Sequence, residues 1–183
     1  KSPRNGDFGS AAQRCEQAKG RISRVGLVVE PSDDDLDNLL AAVDLDMLQV
    51  HAHDGAARFA AIRARTGLPV IAVVSVAEEG DLAAVPDIRK VADGLLFDAK
   101  PPKGAELPGG NALGFDHRVL AEAKVGNTPW MLAGGLTPDN VIQAIATTQP
   151  TYVDVSSGVE KDGERGTKDP AKIRTFLAAV ARA

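Results

Sequence analysis

The chain has 183 residues, of which 44% are hydrophobic and 25% charged, so it can bury a core, and we expect one globular domain over residues 1–183. A net charge of -4 and an aromatic fraction of 4% argue against a nucleic-acid partner. No apolar run approaches the roughly 18 residues that span a bilayer, and no leader-like segment opens the chain. We therefore expect a cytoplasmic protein that binds no membrane. With one cysteine and three histidines, we also expect no metal site.

Short runs rich in Val, Ile and Leu alternate along the chain with segments of helical periodicity. This alternation is typical of βαβ units around a parallel sheet, so the predicted class is α/β. Capping residues and prolines mark several helix starts, as at Asp169-Pro170. The predicted strands are 25–30, 47–51, 70–76, 94–98, 130–135 and 152–157, and the predicted helices are 8–19, 33–43, 54–66, 77–90, 115–124, 138–148 and 170–183.

Two α/β architectures compete, an open doubly wound sheet and a (β/α)8 TIM barrel. A doubly wound dinucleotide-binding sheet normally carries GxGxxG after its first strand, and this sequence has none. A helix precedes the first predicted strand, and most unusual polar residues follow strands, which favours the barrel. Such barrels usually have about 250 residues. We therefore predict a (β/α)8 TIM barrel that lacks its first β-α-β unit.

Two loops near the end of the chain carry the residue types of a phosphate site. Ala133, Gly134 and Gly135 follow the fifth predicted strand, and "VDVSSGVE" at 153–160 contains Ser156, Ser157 and Gly158. Glycines let backbone N–H groups approach an anion, and TIM barrels often bind phosphate after their last two strands. The alternative is that the glycines only form a turn and the serines only cap a helix.

Asp98 ends an otherwise apolar strand and is followed by a loop rich in proline and glycine. A partly desolvated carboxyl group at this edge can have a raised pKa and act as a general acid. The alternative is a capping or salt-bridged aspartate, with Lys100 as the partner. Residues 100–114 are too long for a plain connection, so we expect a lid over the site.

Gln49 and His51 lie two residues apart and therefore on one face of the second predicted strand. If that face points into the barrel, both side chains can contact a ligand. A histidine satisfied by a neighbouring carboxylate is the alternative. His51 and His53 also form a possible metal pair, but no third ligand is evident.

Seven motifs along the chain share the pattern of one known family. They are "KSPR" at 1–4, "VGLVVEPSDDDL" at 25–36, "LQVHAHD" at 48–54, "FDAKPP" at 97–102, "AGGLTPDNV" at 133–141, "VDVSSGVE" at 153–160 and "KDPAKIRTFLAAV" at 168–180. In these motifs the chain resembles phosphoribosylanthranilate isomerases of tryptophan biosynthesis, over its whole length and in the order of that family. The resemblance implies a (β/α)8 barrel that acts on a small phosphorylated substrate with no cofactor, as a monomer or homodimer.

The implied reaction is the Amadori rearrangement of N-(5-phosphoribosyl)anthranilate to the 1-deoxyribulose phosphate. By motif, Asp98 is the general acid, Arg4 pairs with the anthranilate carboxylate, Asp154 holds a sugar hydroxyl, and the two loops hold the phosphate. The family's general base is a cysteine in a leading strand, and Cys15 does not match that motif. A barrel that binds phosphate without isomerase activity, or another phosphate-binding barrel enzyme, stays as the alternative.

Overall fold

A computed structural model describes residues 6–100 and 116–183, in which six parallel strands form one sheet and each strand pairs with its neighbours in the chain. The strands are β1 Val25–Val29, β2 Met47–His51, β3 Val70–Val76, β4 Gly94–Ala99, β5 Trp130–Leu132 and β6 Tyr152–Val153. The α-helices are α1 Phe8–Ala18, α2 Asp33–Ala42, α3 Gly55–Thr66, α4 Val85–Ile88, α5 Val141–Thr148 and α6 Pro170–Val180. Short 3-10 helices cover Glu79–Leu82, His117–Glu122 and Ser157–Val159.

The strand order decides between the two predicted architectures. A doubly wound sheet reverses its strand order at a switch point, where ligands bind. The order β1-β2-β3-β4-β5-β6 has no such reversal. The fold is therefore built as a (β/α) barrel, although β1 and β6 do not pair and the sheet is not closed within the described residues.

The larger hydrophobic core lies between the sheet and the helices. Alternate strand residues point to this side, because successive side chains of a strand face opposite ways. Among them, Leu48, Val50 and Phe97 are almost fully buried against helix residues such as Leu36 and Phe59. Burial of apolar surface at about 25 cal/mol per Å² makes this layer the main source of stability.

The opposite face of the sheet is the inner face, and it carries the smaller cluster Ile71, Val73, Leu96 and Ala133. The register aligns Leu27 of β1 with Gln49, and Gln49 with Ile71, so these side chains share the inner face. On β1 this face is open to solvent. The exposed apolar residues there are Val25 (42%), Leu27 (59%) and Val29 (43%).

Two predicted helices differ from the structure. The helix expected over residues 77–90 is wrong, because a 3-10 helix and the single turn of α4 replace it. Pro86 explains the interruption, since proline lacks an N–H and clashes with the carbonyl four residues earlier. The segment expected as a helix over 115–124 is a 3-10 helix in its described part.

Strands β5 and β6 are shorter than predicted, ending at Leu132 and Val153 rather than at 135 and 157. Gly134 and Gly135 have φ of 85° and 69°, which is left-handed backbone that cannot continue a strand. No helix in the described ranges is long and apolar enough to cross a membrane.

Candidate active site

Asp98 lies on the inner face of the sheet near the carboxyl end of β4. It aligns with Ser75 of β3 and is two residues beyond Leu96, which belongs to the inner-face cluster. The residue is partly buried, and its carboxyl oxygen accepts a hydrogen bond of 2.9 Å from the backbone N–H of Ala99. A carboxyl group is thus held at the end of the sheet where parallel α/β folds bind ligands.

The surroundings raise the pKa of Asp98 to about 6. Burial is the main cause, the hydrogen bond from Ala99 acts in the opposite direction, and the negative charge of Asp154 adds a further increase. The alternative of an ion pair with Lys100 is wrong, because the Lys100 ammonium lies 2.6 Å from Asp81. A carboxyl group that is still partly protonated near neutral pH suits a general acid.

Asp154 follows β6 directly, and its backbone N–H donates to the carbonyl of Leu132 at 2.8 Å. Burial raises the pKa of the Asp154 carboxyl, and the positive charge of Lys168 partly offsets this rise. The charge of Asp154 therefore acts on Asp98 across the intervening strand β5. Two carboxyl groups with different surroundings can take different roles in one site.

The loop after β5, residues 133–137, is here called the glycine loop, and it lies against the end of β4. The N–H of Ala133 donates to the carbonyl of Phe97 at 2.8 Å, and a Cβ at Gly134 would lie 2.5 Å from the backbone nitrogen of Ala99. Only glycine allows this approach together with φ of 85°. Within residues 6–100 and 116–183, the backbone N–H groups of Gly134 and Gly135 have no hydrogen-bond acceptor. Free N–H groups next to Asp98 can bind an anion.

Asn140 braces this glycine loop from the start of α5. Its side-chain Nδ2 donates to the carbonyl of Gly135 at 3.0 Å, and its Oδ1 accepts from the N–H of Thr137 at 2.8 Å. One amide side chain therefore fixes two backbone groups of the loop. Because the Gly135 carbonyl accepts a hydrogen bond from Asn140, the N–H groups of the loop remain available to a ligand.

The loop after β6 that contains Ser156, Ser157 and Gly158, here called the serine loop, contacts the glycine loop directly. A Cβ at Gly158 would overlap the carbonyl oxygen of Leu136, so the backbones of the two loops touch there. The Lys168 ammonium donates to the carbonyl of Ser156 at 2.7 Å and to its Oγ at 3.2 Å. The structure thus brings the two predicted phosphate loops together.

Gln49 and His51 share the inner face of β2, as their spacing predicts, and both are partly buried. The pKa of His51 is lowered, first by burial and then by the charge of His53, while Glu30 acts in the opposite direction. The carboxylate of Glu30 contacts the ring of His53 rather than that of His51. His51 therefore loses its proton more readily than an ordinary histidine, and it lies at the same edge of the sheet as Asp98.

Two predicted features lie outside the described residues: Arg4, and all but the first residue of the expected lid over 100–114. The described part of the chain has no cluster of three or more His, Cys, Asp or Glu that could hold a metal ion. Lys168 and Asn140 belong to the site without a role predicted from the sequence. The signals were present, because both lie in motifs already singled out, "KDPAKIRTFLAAV" and "AGGLTPDNV".

Known proteins are similar to this chain in sequence and in fold. A family model described as N-(5'phosphoribosyl)anthranilate (PRA) isomerase matches residues 3–179. N-(5'-phosphoribosyl)anthranilate isomerase of Paracoccus denitrificans is 52% identical over 178 residues, which cover 97% of this chain and 81% of that protein. The enzyme of the same name from Paramagnetospirillum magneticum is 52% identical over 179 residues, with 98% and 82% covered.

Among solved structures, phosphoribosyl anthranilate isomerase from Thermotoga maritima is similar with a TM-score of 0.83 and 27% identity, over 100% of this chain and 84% of that one. TrpF from Jonesia denitrificans has a TM-score of 0.77 and 32% identity, over 99% and 82%. These similarities confirm the predicted TIM-barrel class. The chain therefore belongs to the N-(5'-phosphoribosyl)anthranilate isomerase family, enzymes of tryptophan biosynthesis.

Proposed function

We propose that Asp98 is the general acid of the Amadori rearrangement of N-(5'-phosphoribosyl)anthranilate. Family membership supports the reaction, and one observation carries the assignment. The carboxyl group of Asp98, with a pKa of about 6, lies on the inner face of the sheet beside the Gly134 loop. A substrate whose phosphate binds at the loops after β5 and β6 would place its sugar towards Asp98.

The chemistry requires one proton donor and one base. Asp98 protonates the furanose ring oxygen, the bond from C1 to that oxygen breaks, and the anthranilate nitrogen supplies the electron pair that forms the C1=N Schiff base. Loss of the C2 proton then gives an enolamine, which tautomerises to the ketone. The resemblance implies a cysteine as this base, and Cys15, the one cysteine of the 183 residues, lies in α1 instead.

The phosphate would be bound from two sides. Ala133, Gly134 and Gly135 offer backbone N–H groups on one side, and Ser156, Ser157 and Gly158 offer hydroxyl and backbone donors on the other. The contact between Gly158 and Leu136 supports this proposal, because it joins the two loops into one surface. Backbone donors suit an anion in a site with few cations.

The remaining contacts to substrate follow the family motifs. Asp154 would accept a hydrogen bond from a sugar hydroxyl, and its place on the inner face beside Asp98 supports this role. Gln49 and His51 would contact the ligand from β2. Arg4 would bind the anthranilate carboxylate through its guanidinium group, whose paired donors match a carboxylate.

The test is turnover of N-(5'-phosphoribosyl)anthranilate by the purified protein, together with complementation of a tryptophan auxotroph that lacks the isomerase. Formation of the deoxyribulose phosphate and growth without tryptophan are expected. The position of Cys15 in α1 favours one alternative, a barrel that binds the phosphorylated ligand without isomerase activity. That alternative predicts binding of the product with neither turnover nor growth.

We also propose a cytoplasmic protein with no nucleic-acid partner. The net charge of -4 supports the absence of a nucleic-acid partner, and the single cysteine is consistent with the cytoplasm. We propose a monomer or homodimer, and light scattering after size exclusion distinguishes these from larger assemblies. We propose that no cofactor takes part, which turnover in a chelated, cofactor-free buffer tests.

A further inference from the structure

The side chain of Lys168 contacts the serine loop, although Lys168 is 12 residues away from Ser156 in the chain. Its ammonium contacts three acceptors, the carbonyl of Ser156 at 2.7 Å, the Oγ of Ser156 at 3.2 Å and the carboxylate of Glu160 at 3.1 Å. Glu160 is buried, with 7% of its surface exposed. A charged group that binds a buried carboxylate is held in a fixed position.

The backbone on both sides of Lys168 is also fixed. Glu160 and Lys168 form an antiparallel bridge, and next to it the N–H of Lys161 donates to the carbonyl of Thr167 at 2.9 Å. On the other side, the N–H of Asp169 donates to the carbonyl of Val159 at 2.8 Å. The turn between Glu160 and Lys168 therefore returns the chain to the serine loop.

The contact with Lys168 determines which way the Ser156 hydroxyl can donate. An ammonium group can only donate, so Ser156 Oγ is the acceptor of this hydrogen bond. No described residue accepts a hydrogen bond from Ser156 Oγ, so its hydrogen remains available for another acceptor. A neighbouring cation also makes the hydroxyl a stronger donor through polarisation.

We propose that Lys168 is a positioning residue for phosphate recognition, which orients the Ser156 hydroxyl as a donor to the substrate's phosphate and adds positive charge behind it. This inference rests on the proposed function, since it assigns a further residue to the same phosphate site. The charge of Lys168 also reaches Asp154, whose pKa it lowers against the effect of burial. Lys168 thus adjoins both the phosphate loop and the carboxyl pair.

Lys172 of α6 offers a matched control, because it also contacts the turn that begins at Glu160. Its ammonium donates to the backbone carbonyl of Glu160 at 3.0 Å and to Asp162 at 2.6 Å. It therefore contributes an ion pair and a contact to Glu160, but no hydrogen bond to Ser156. Loss of Lys172 should disturb the turn without disturbing the hydroxyl of Ser156.

The experiment is calorimetric binding of the product with its ketone reduced to an alcohol, compared with the same compound without phosphate. Lys168→Met should weaken binding of the phosphorylated compound by about tenfold, which is the effect of losing one charge-assisted interaction. The affinity for the compound without phosphate should stay within about twofold of wild type. Lys172→Met should change neither affinity by more than about twofold. Equal losses for both compounds, or no loss for either, would overturn the role of Lys168.

A double-mutant cycle tests the route through Ser156. Adding Lys168→Met to Ser156→Ala should weaken binding of the phosphorylated compound by much less than Lys168→Met does alone, because the two residues act through one hydroxyl. Fully additive losses would show that Lys168 does not act through Ser156.

If Lys168→Met does not fold, the double variant Lys168→Met/Glu160→Gln is used instead in both experiments, because it also removes the buried charge of Glu160. If the wild-type chain does not bind the phosphorylated compound, the proposed function itself fails, which is a different result from unchanged binding by the variant.

Discussion

Gly158 touches the backbone of Leu136, so that a Cβ at position 158 would overlap the Leu136 carbonyl oxygen and lie 3.2 Å from the Cα of Thr137. The serine loop after β6 and the glycine loop after β5 are therefore joined by a contact that only glycine allows. A site that holds phosphate from both loops depends on this contact. Any side chain at 158 must push the loops apart.

Gly158→Ala should weaken binding of the phosphorylated product alcohol by about tenfold and lower the free energy of unfolding by about 1–3 kcal/mol, as overpacking does. The reason is that the new Cβ meets backbone atoms, which cannot rotate away. Calorimetry and thermal unfolding measure the two effects. Gly80→Ala is the control, because a Cβ at Gly80 would meet nothing within 4 Å. Wild-type affinity in Gly158→Ala would contradict a two-sided phosphate site.

The sequence predicts the strands well where burial is uniform. The run Val70–Val76 is apolar apart from Ser75, and it forms β3 with the predicted bounds. Such a run is typical of a strand covered on both faces in a parallel sheet. Predictions fail where single residues change the backbone, as Pro86 does for a helix and Gly134 does for the end of β5.

The site is predictable only in part, because its electrostatics depend on contacts between distant segments. The position of Asp98 at a strand end follows from its sequence pattern. Its interaction with Asp154 depends instead on the order of β4, β5 and β6, which no local pattern specifies. Likewise, the contact of Lys168 with Ser156 depends on the turn that begins at Glu160.

Asp98→Asn should lower kcat for phosphoribosylanthranilate by about 10²–10⁴, the usual contribution of a general acid. An amide cannot supply the proton to the ring oxygen, but it has nearly the same shape. Affinity for the product alcohol should therefore stay within about twofold of wild type. Turnover is followed by chromatography of the deoxyribulose phosphate. Asp87→Asn removes an exposed carboxylate that pairs with Lys90, and it should turn over like wild type. Unchanged kcat in Asp98→Asn would remove Asp98 from the mechanism.

The raised pKa of Asp98 also makes a prediction about stability. The folded pKa of about 6 lies above the ordinary value of 3.8, so the folded state binds more protons between these values. The resulting stabilisation is complete below pH 3.8 and is lost as the pH rises through about 6. Asp98→Asn carries no such charge. Its free energy of unfolding relative to wild type should therefore increase between pH 4 and pH 8 by about 1–3 kcal/mol, allowing for partial exposure.

Urea unfolding at pH 4, 6 and 8 measures this difference. Asp87→Asn serves again as the control, because the pKa of Asp87 is lowered by its hydrogen bond to Lys90. That shift has the opposite sign, so the free energy of unfolding of Asp87→Asn should not increase relative to wild type as the pH rises. A difference between Asp98→Asn and wild type that is the same at all three pH values would show that Asp98 ionises normally in the folded chain.

Asn140 supplies the last prediction, because its amide joins the Gly135 carbonyl and the Thr137 N–H. Asn140→Asp keeps the acceptor for Thr137 but places a negative charge against the Gly135 carbonyl and near the bound phosphate. Asn140→Ala removes both hydrogen bonds and adds no charge. Binding of the phosphorylated product alcohol should therefore weaken by several-fold in Asn140→Ala and further in Asn140→Asp, since like charges repel at short range.

Gln143→Ala, in the same helix, is the control. It removes an exposed hydrogen bond to Thr147 and should bind the product alcohol like wild type. Calorimetry at low and high salt completes the test: only the excess loss in Asn140→Asp should shrink as salt rises. Equal affinities for the two Asn140 variants at low salt would mean that the phosphate lies away from this loop.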